Sequence, residues 1–300
     1  MASLYYLSLL FLFGFFLQKS LNAKNITKLL SLLNHFILYI SLPSLIFVHI
    51  LKLELSNSLL VPLFSAWGVF SFSSLVIVIF VKVFNYSKEI AIALILSVAL
   101  SNSSFLGFPL TLSFFGSGGL KFAIIYDQLG SFLILSTFGL FLLALQSEAT
   151  FSFKRVGIKV LTFPSFIALV AAFWLRGVEF NSLFLDTLEF LGSLLTFVAF
   201  LVIGLSLKLK IAKEHRAIFI FALALKLFIA PLSLFVFFKS LDLNSLATKV
   251  SVFEAAMAPM ISSSMLAILY NIQKELVSSI LGYGILLSFF TLPLIFAIIS

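Results

Sequence analysis

The amino-acid sequence predicts an all-α polytopic membrane protein of about ten transmembrane helices. We expect two inverted five-helix repeats, in which the fourth and ninth helices are broken and cross. The first observation behind this prediction is composition, because 62% of the 300 residues are hydrophobic and only 10% are charged. Soluble domains average roughly 45–50% apolar and about 25% charged residues. The other two observations are the length of the apolar runs and the placement of the basic residues.

Ten apolar runs have the length, or nearly the length, that a membrane-spanning helix needs, which is about 20 residues. The runs are continuous and lack the alternating polarity of the strands in a membrane barrel, so we predict helices. The runs cover residues 3–17, 30–51, 59–81, 90–115, 122–145, 160–175, 183–207, 217–238, 250–270 and 276–299.

Lysine and arginine residues are distributed unevenly among the loops between these runs. Odd-numbered loops hold 13 basic residues and even-numbered loops hold five. Because basic loops stay on the cytoplasmic side, both termini are expected outside. The net charge of +8 is explained in this way, without a nucleic-acid partner. No basic residue precedes the first apolar run, so we interpret it as a retained span and not as a signal peptide.

The longest polar connection near the middle of the chain, residues 146–159, divides it into two halves of five runs. We predict a first repeat at residues 1–148 and a second at residues 149–300. Five is an odd number, so two similar halves must have opposite orientations in the membrane. Inverted repeats of this kind bind substrate where their interrupted helices meet.

The fourth run is interrupted by the sequence LSNSSFLGFP at residues 100–109. Pro109 removes a backbone donor, and Gly107 relaxes the backbone. Unwound backbone within the bilayer is tolerated only where protein or a water-filled cavity surrounds it. A simple proline kink with serine back-bonding is the structural alternative.

The ninth run repeats the feature with FEAAMAPMISSS at residues 253–264. Two broken helices that cross direct the N-terminal ends of their second halves at one point, and the amides there favour an anion such as a carboxylate. The side-chain amide of Asn102 would complete the hydrogen bonds. The predicted substrate-binding residues are Asn102, Ser103, Ser104, Gly107, Pro109, Ala258, Pro259 and Ser262.

These two segments resemble the auxin efflux carrier family, as do LAILY at residues 266–270 and TLPL at residues 291–294. The family's bacterial members include permeases associated with malonate and malate, and its plant members export auxin anions. The resemblance implies elevator-like movement of a transport domain against a scaffold. It also implies residence in a bacterial inner membrane and, by analogy, a homodimer. Two departures concern pocket geometry: the seventh run has no proline to match Pro43, and Ala258 separates Met257 from Pro259.

Several ionisable residues fall within the runs, and three of them are candidates for function: Asp127, Lys226 and Glu254. Such residues usually face a cavity or a partner, and they mark ion or substrate pathways. We assign all three to coupling or gating. The structural alternatives are pairing of Asp127 with Lys226, snorkelling of Lys226 towards an interface, and hydration of Glu254 in an outer vestibule. Asp186 and Glu189 begin the seventh run and are expected to mark the outer interface.

The leading hypothesis is a secondary transporter of a small organic anion. We expect the anion to be a carboxylate and the coupling ion to be H⁺ or Na⁺. One alternative is a cation–proton antiporter that uses Asp127 and Glu254, and another is a ligand-binding membrane sensor. The sequence lacks nucleotide-binding and hydrolase motifs, so we expect no enzyme activity. It also lacks cysteine, and its histidines are scattered, so we expect no cofactor or metal.

Overall fold

The computed structural model describes residues 2–52, 56–146, 153–206 and 216–300, and this part of the chain is helical with no strand. The all-α prediction is confirmed. The α-helices are α1 (Ala2–Ser20), α2 (Ala23–Phe36), α3 (Leu42–Leu51), α4 (Leu60–Val83), α5 (Lys88–Val98), α6 (Phe108–Ile125), α7 (Phe132–Ile134), α8 (Leu140–Gln146), α9 (Phe153–Leu161), α10 (Pro164–Trp174), α11 (Ser182–Ser206), α12 (Arg216–Ala224), α13 (Ala230–Ser240), α14 (Leu246–Ala255), α15 (Ile261–Leu269) and α16 (Lys274–Ile299).

Short π-helical segments join several of these helices. A π-turn adds a residue to the turn, and such segments occur frequently at functional sites. Three of them include the predicted site residues Ser103, Asp127 and Lys226. The π-helical segments are Ile37–Ser41, Ser103–Gly107, Tyr126–Ser131, Leu135–Gly139 and Leu225–Ile229.

Six helical stretches in the described ranges are long and apolar enough to cross a membrane. The predicted fourth and ninth spans are each divided into two shorter helices. The first and sixth correspond to shorter apolar helices at Leu9–Ser20 and Pro164–Trp174. The chain is therefore a multi-pass membrane protein. The six stretches are Lys24–Leu51, Asn57–Val83, Ser103–Leu143, Ser182–Ser206, Arg216–Ser240 and Lys274–Ile299.

Two details differ from the sequence prediction. The polar connection at residues 146–159 is partly helical, because α9 begins at Phe153 and places apolar residues among its three basic ones. The fourth and fifth predicted runs share one helix assignment, α6, whose geometry breaks at Gly116. Gly116 has φ 68° and ψ −170°, a conformation that glycine adopts without the steric cost that other residues meet. The three loop lysines at positions 208, 210 and 213 lie outside the described residues.

The first of two compact units comprises Met1–Ser56, Ser104–Ile124 and Gly157–Leu207. Within it, α1 packs closely on α11 through two glycines. A Cβ at Gly14 would lie 2.5 Å from the carbonyl oxygen of Leu201, and a Cβ at Gly204 would collide with the backbone of Phe11. Small residues allow this close backbone approach, which is a common device for packing membrane helices.

The second compact unit comprises Asn57–Ser103, Ile125–Val156 and Lys208–Ser300. Part of its core forms where α5, α8, α15 and α16 pack together. Each unit takes helices from both halves of the sequence, so packing alone does not divide the chain at residue 148, and the repeat boundary stays a prediction. The core cluster consists of Ile92, Ala93, Leu96, Leu143, Ala267, Ile272 and Val277.

Candidate functional site

The fourth predicted helix is interrupted directly after α5. Regular helix ends at Val98, and the chain resumes as a π-helical segment at Ser103. The interruption is polar, and its residues Ser101 and Asn102 are each only 2% exposed. The break is therefore enclosed by protein, as unwound backbone within a bilayer must be.

The ninth predicted helix is interrupted between Ala255, where α14 ends, and Ile261, where α15 begins. Pro259 lies in this gap, and its ring removes the N–H that would continue a helix. Met260 has an extended conformation, with φ −67° and ψ 123°, and the start of α15 has no side-chain cap. The first-turn amides of α15 thus retain their partial positive charge.

The two interruptions pair with each other through their backbones. The amide of Asn102 donates to the carbonyl oxygen of Ala258 at 2.9 Å, and the amide of Met260 donates to that of Leu100 at 3.2 Å. Ser101 and Pro259 form the antiparallel bridge between them. We call these two segments, residues 99–102 and 256–260, the crossover. The prediction that the fourth and ninth helices are broken is confirmed, and their breaks meet, whereas the inverted repeat stays a prediction.

Helix α16 packs against the crossover at Gly284. A Cβ at this position would lie 2.5 Å from Cδ and 2.7 Å from Cγ of Pro259. Contacts this short force a shift of the ring or of α16, since both groups are buried in a dense interior. Glycine at position 284 therefore permits the approach that supports the unwound segment.

Asp127 adjoins the crossover through Ser103. The Ser103 hydroxyl donates to Asp127 Oδ1 at 2.6 Å, and Gln128 Nε2 donates to Asp127 Oδ2 at 2.6 Å. Ser131 Oγ lies 3.3 Å from Ser103 Oγ and extends the network. Because an ionised carboxylate only accepts hydrogen bonds, the NH₂ group of Gln128 must face it, and the Gln128 carbonyl oxygen faces elsewhere.

Lys226 also contacts the crossover and is 1% exposed. Its ammonium donates to Ser101 Oγ at 2.6 Å and to the carbonyl oxygen of Ala255 at 3.0 Å. Glu254 is fully buried and attracts the ammonium. The hydroxyl of Tyr126 also hydrogen-bonds Ser101. Ser101 therefore connects the buried lysine to the crossover.

Two buried side-chain amide atoms here have no hydrogen-bond partner within the part of the chain that the structure describes. They are Asn102 Nδ2, a donor, and Gln128 Oε1, an acceptor. Buried polar atoms are nearly always hydrogen-bonded, and each exception calls for an explanation such as a ligand or a water molecule. The site thus offers a donor on the crossover and an acceptor beside Asp127.

The predicted substrate-binding residues occupy different environments. Asn102, Ala258 and Pro259 lie in the crossover, and Ser103 follows it directly. Ser262 is exposed on the first turn of α15, whereas its neighbours Ser263 and Ser264 are buried. The remaining three predicted residues are buried and belong to the segment of the first unit that begins at residue 104: Ser104, Gly107 and Pro109.

Sequence reasoning missed three residues of this site: Ser101, Tyr126 and Gln128. Ser101 stands within the interrupted motif that was singled out, and the other two flank Asp127 in the sequence. Polar side chains beside an intramembrane acid are a usable signal, because the acid needs donors. Among the described residues no group of three His, Asp or Glu side chains is placed to hold a metal ion.

Comparison with known proteins decides the family. The sequence model of the family described as membrane transport protein matches residues 1–296. The chain belongs to this family. It is the auxin efflux carrier family that the sequence motifs resemble, so that resemblance is confirmed. The apolar helices that are long enough to cross a membrane agree with this family.

Two relatives in methanogenic archaea are similar along most of their length. An uncharacterized transporter of Methanothermobacter thermautotrophicus is 28% identical over 273 residues, which cover 88% of this chain and 87% of the relative. An uncharacterized transporter of Methanocaldococcus jannaschii is 27% identical over 274 residues, covering 83% and 82% respectively. Both similarities support membrane transport and leave the cargo open.

Proposed function

We propose that this transporter is a secondary active carrier of a small organic anion, a mono- or dicarboxylate, which binds at the crossover. The observation that carries the proposal is the side-chain amide of Asn102. It is buried next to the paired breaks, and its Nδ2 has no acceptor in the described ranges. A carboxylate oxygen supplies the acceptor that this donor lacks.

The start of α15 supports an anionic cargo in the same way. The first N–H groups of a helix have no partner within the helix, and together they carry a partial positive charge. No side chain caps these groups at Met260. Anions bind readily at such helix ends, and broken transporter helices direct them at substrate carboxylates.

The buried charges require a second ion to accompany the cargo. Asp127 and Glu254 contribute two negative charges and Lys226 one positive charge when all three are ionised. An anionic cargo would add another negative charge in a medium of low dielectric, where an uncompensated charge is costly. We therefore infer coupling to a cation, either H⁺ or Na⁺.

The arrangement also supports alternating access by an elevator mechanism. The crossover, Asp127, Glu254 and Lys226 all belong to the second compact unit. A site contained in one unit keeps its geometry when that unit moves across the bilayer as a body. We infer that the second unit is the mobile part and that the protein resides in the cell membrane with both termini outside.

Cation–proton exchange is the second candidate function. One observation favours it: Asp127 and Glu254 are 2% and 0% exposed, and buried intramembrane acids often form ion pathways. In this scheme the two carboxylates would bind a metal cation or protons alternately. The crossover amide of Asn102 would then serve only to hold the backbone.

Uptake by proteoliposomes tests the proposal against this alternative. We would measure uptake of labelled malonate, malate and indole-3-acetate by wild type, Asn102→Ala and Ser74→Ala. Ser74 lies in α4, and its buried hydroxyl also lacks a partner among the described residues, so it is a matched control. We expect saturable flux of at least one carboxylate in wild type and Ser74→Ala, reduced at least about 10-fold in Asn102→Ala, since the loss of a well-placed hydrogen bond to a charged group costs about 1.5–3 kcal/mol.

The same vesicles would be loaded with a pH-sensitive dye and exposed to NaCl or KCl. Proton movement on addition of either salt, with no carboxylate flux, would contradict the anion-carrier hypothesis and support cation–proton exchange. Equal carboxylate flux in wild type and Asn102→Ala would instead support an anionic cargo and contradict its binding at the crossover.

A further inference from the structure

The C-terminal end of α14 provides an environment that favours a positive charge. The last carbonyl groups of a helix have no partner within it and carry a partial negative charge. Here that end includes the carbonyl oxygen of Ala255, which lies inside the protein, and the fully buried Glu254 directly precedes it, adding a negative charge when it is ionised. Leaving this concentration of negative charge without a counter-charge in the membrane interior would be costly.

The oxygen atoms at this place resemble the ligand set of a hard metal cation. They are a serine hydroxyl at Ser101, a backbone carbonyl at Ala255 and a nearby carboxylate at Glu254. Hydroxyl, carbonyl and carboxylate oxygens are the ligands that hard cations prefer. In this structure the atom that contacts Ser101 and Ala255 is the ammonium nitrogen of Lys226, at 2.6 Å and 3.0 Å.

Lys226 is held at this position by its own helix. It lies in the π-helical segment Leu225–Ile229, which α13 continues with Pro231 in its first turn. The whole side chain is 1% exposed, so it does not extend to an interface as lysines in membrane helices commonly do. A buried lysine with two oxygen partners is a hydrogen-bond donor fixed beside the crossover.

We propose that Lys226 is the resident cation of the crossover: its ammonium occupies the position between Ser101 and Ala255 that a bound Na⁺ ion would otherwise take. This inference rests on the proposed function only for its meaning in transport, where it excludes this position as the binding site of a coupling Na⁺ ion. The occupancy of the position itself is a property of the protein without cargo.

A purified protein in detergent suffices for the test. We would measure the thermal unfolding midpoint of wild type, Lys226→Ser and Lys226→Met in NaCl, KCl and choline chloride at equal ionic strength. Serine removes the ammonium and leaves room and an extra oxygen ligand. Methionine is the matched control, because it also removes the charge but fills the space with an apolar chain.

We expect the same midpoint in Na⁺ and choline for wild type and for Lys226→Met. For Lys226→Ser we expect a midpoint higher in Na⁺ or K⁺ than in choline, by on the order of 3 °C, because a cation that binds only the folded state stabilises it. Methylammonium chloride should restore the midpoint of Lys226→Ser in the same way, since it supplies the missing ammonium group.

Two results would overturn the inference. One is a Lys226→Ser protein that elutes as a single folded species and unfolds at the same temperature in every salt. The other is saturable Na⁺ binding by the wild type in a calorimetric titration that Ser101→Ala abolishes, because Na⁺ would then bind at the position assigned to the ammonium. Neither readout involves a carboxylate. A negative result for Lys226 therefore does not affect the anion-carrier proposal, and an absence of carboxylate flux does not affect the proposal for Lys226.

Discussion

Replacing Lys226 by methionine should destabilise the protein strongly. Methionine retains most of the apolar packing of the lysine stem, so the loss is confined to the charge and to the hydrogen bonds with Ser101 Oγ at 2.6 Å and Ala255 O at 3.0 Å. The change also takes from Glu254 the positive charge that attracts it. If Glu254 is ionised, its charge then stays in the interior without compensation, and breaking a buried pair of opposite charges in this way costs about 3–5 kcal/mol.

This magnitude distinguishes an ion pair from an ordinary membrane hydrogen bond. Side-chain hydrogen bonds between membrane helices contribute on average about 0.6 kcal/mol to the free energy of unfolding, and at most about 1.7 kcal/mol. Two such bonds would therefore account for less than the cost of breaking a buried pair. The free energy of unfolding of wild type and Lys226→Met, measured by denaturant titration in mixed micelles, would show which description holds.

A double-mutant cycle with Glu254→Gln identifies the partner. If the two charges stabilise each other, Lys226→Met should cost less by at least about 1 kcal/mol when Glu254 is already neutral, as energetically coupled residues show. A loss below about 1 kcal/mol for Lys226→Met, additive with that of Glu254→Gln, would mean that the buried lysine is not the charge partner of Glu254.

Two further predictions concern local packing and capping. Gly284→Val should lower the free energy of unfolding by about 1–3 kcal/mol and reduce transport, because the new side chain collides with Pro259. Gly68→Val is its control, with no atom within 4 Å of a Cβ, and equal losses in the two variants would contradict the packing argument. Ser245→Ala should cost about 1 kcal/mol of stability without altering transport affinity, because it removes the capping box that Ser245 and Thr248 form at the start of α14. An unchanged denaturation midpoint would show that this cap contributes nothing.

The helix breaks could be predicted from sequence because their cause is local. A proline in a long apolar run removes a backbone donor wherever the helix packs, and the neighbouring polar residues show that the gap is not exposed to lipid. Asn102 and Pro259 were therefore both placed correctly in the two breaks. That the breaks pair through Asn102 and Ala258 follows from the crossing of two segments more than 150 positions apart.

The partners of Lys226 could not be predicted in the same way. Depth along straight helices suggested Asp127, whereas the ammonium donates to Ser101 and to the carbonyl oxygen of Ala255. Lys226 and Asp127 both lie in π-helical segments. The added residue of a π-turn changes the directions in which the side chains point from those expected for a regular α-helix. Hydropathy carries no information on this shift. Snorkelling of Lys226 and hydration of Glu254 are both wrong for this structure, since each side chain is buried.

The serines after the ninth break illustrate the same limit. Ser262, Ser263 and Ser264 are adjacent and chemically identical, so only the rotational phase of α15 decides which of them face the interior. That phase is set by the conformation of the unwound segment before Ile261. The structure buries Ser263 and Ser264 and exposes Ser262, and a role for Ser262 in substrate binding stays a prediction.

The most direct test of the crossover as an anion site is equilibrium binding to the purified transporter. The thermal unfolding midpoint of wild type, Ser74→Ala and Asn102→Ala would be recorded with increasing malonate, malate or indole-3-acetate. We expect at least one of these carboxylates to raise the midpoint of wild type and Ser74→Ala equally and to leave that of Asn102→Ala unchanged at the same concentration. Equal stabilisation of wild type and Asn102→Ala would show that the anion does not bind through Asn102.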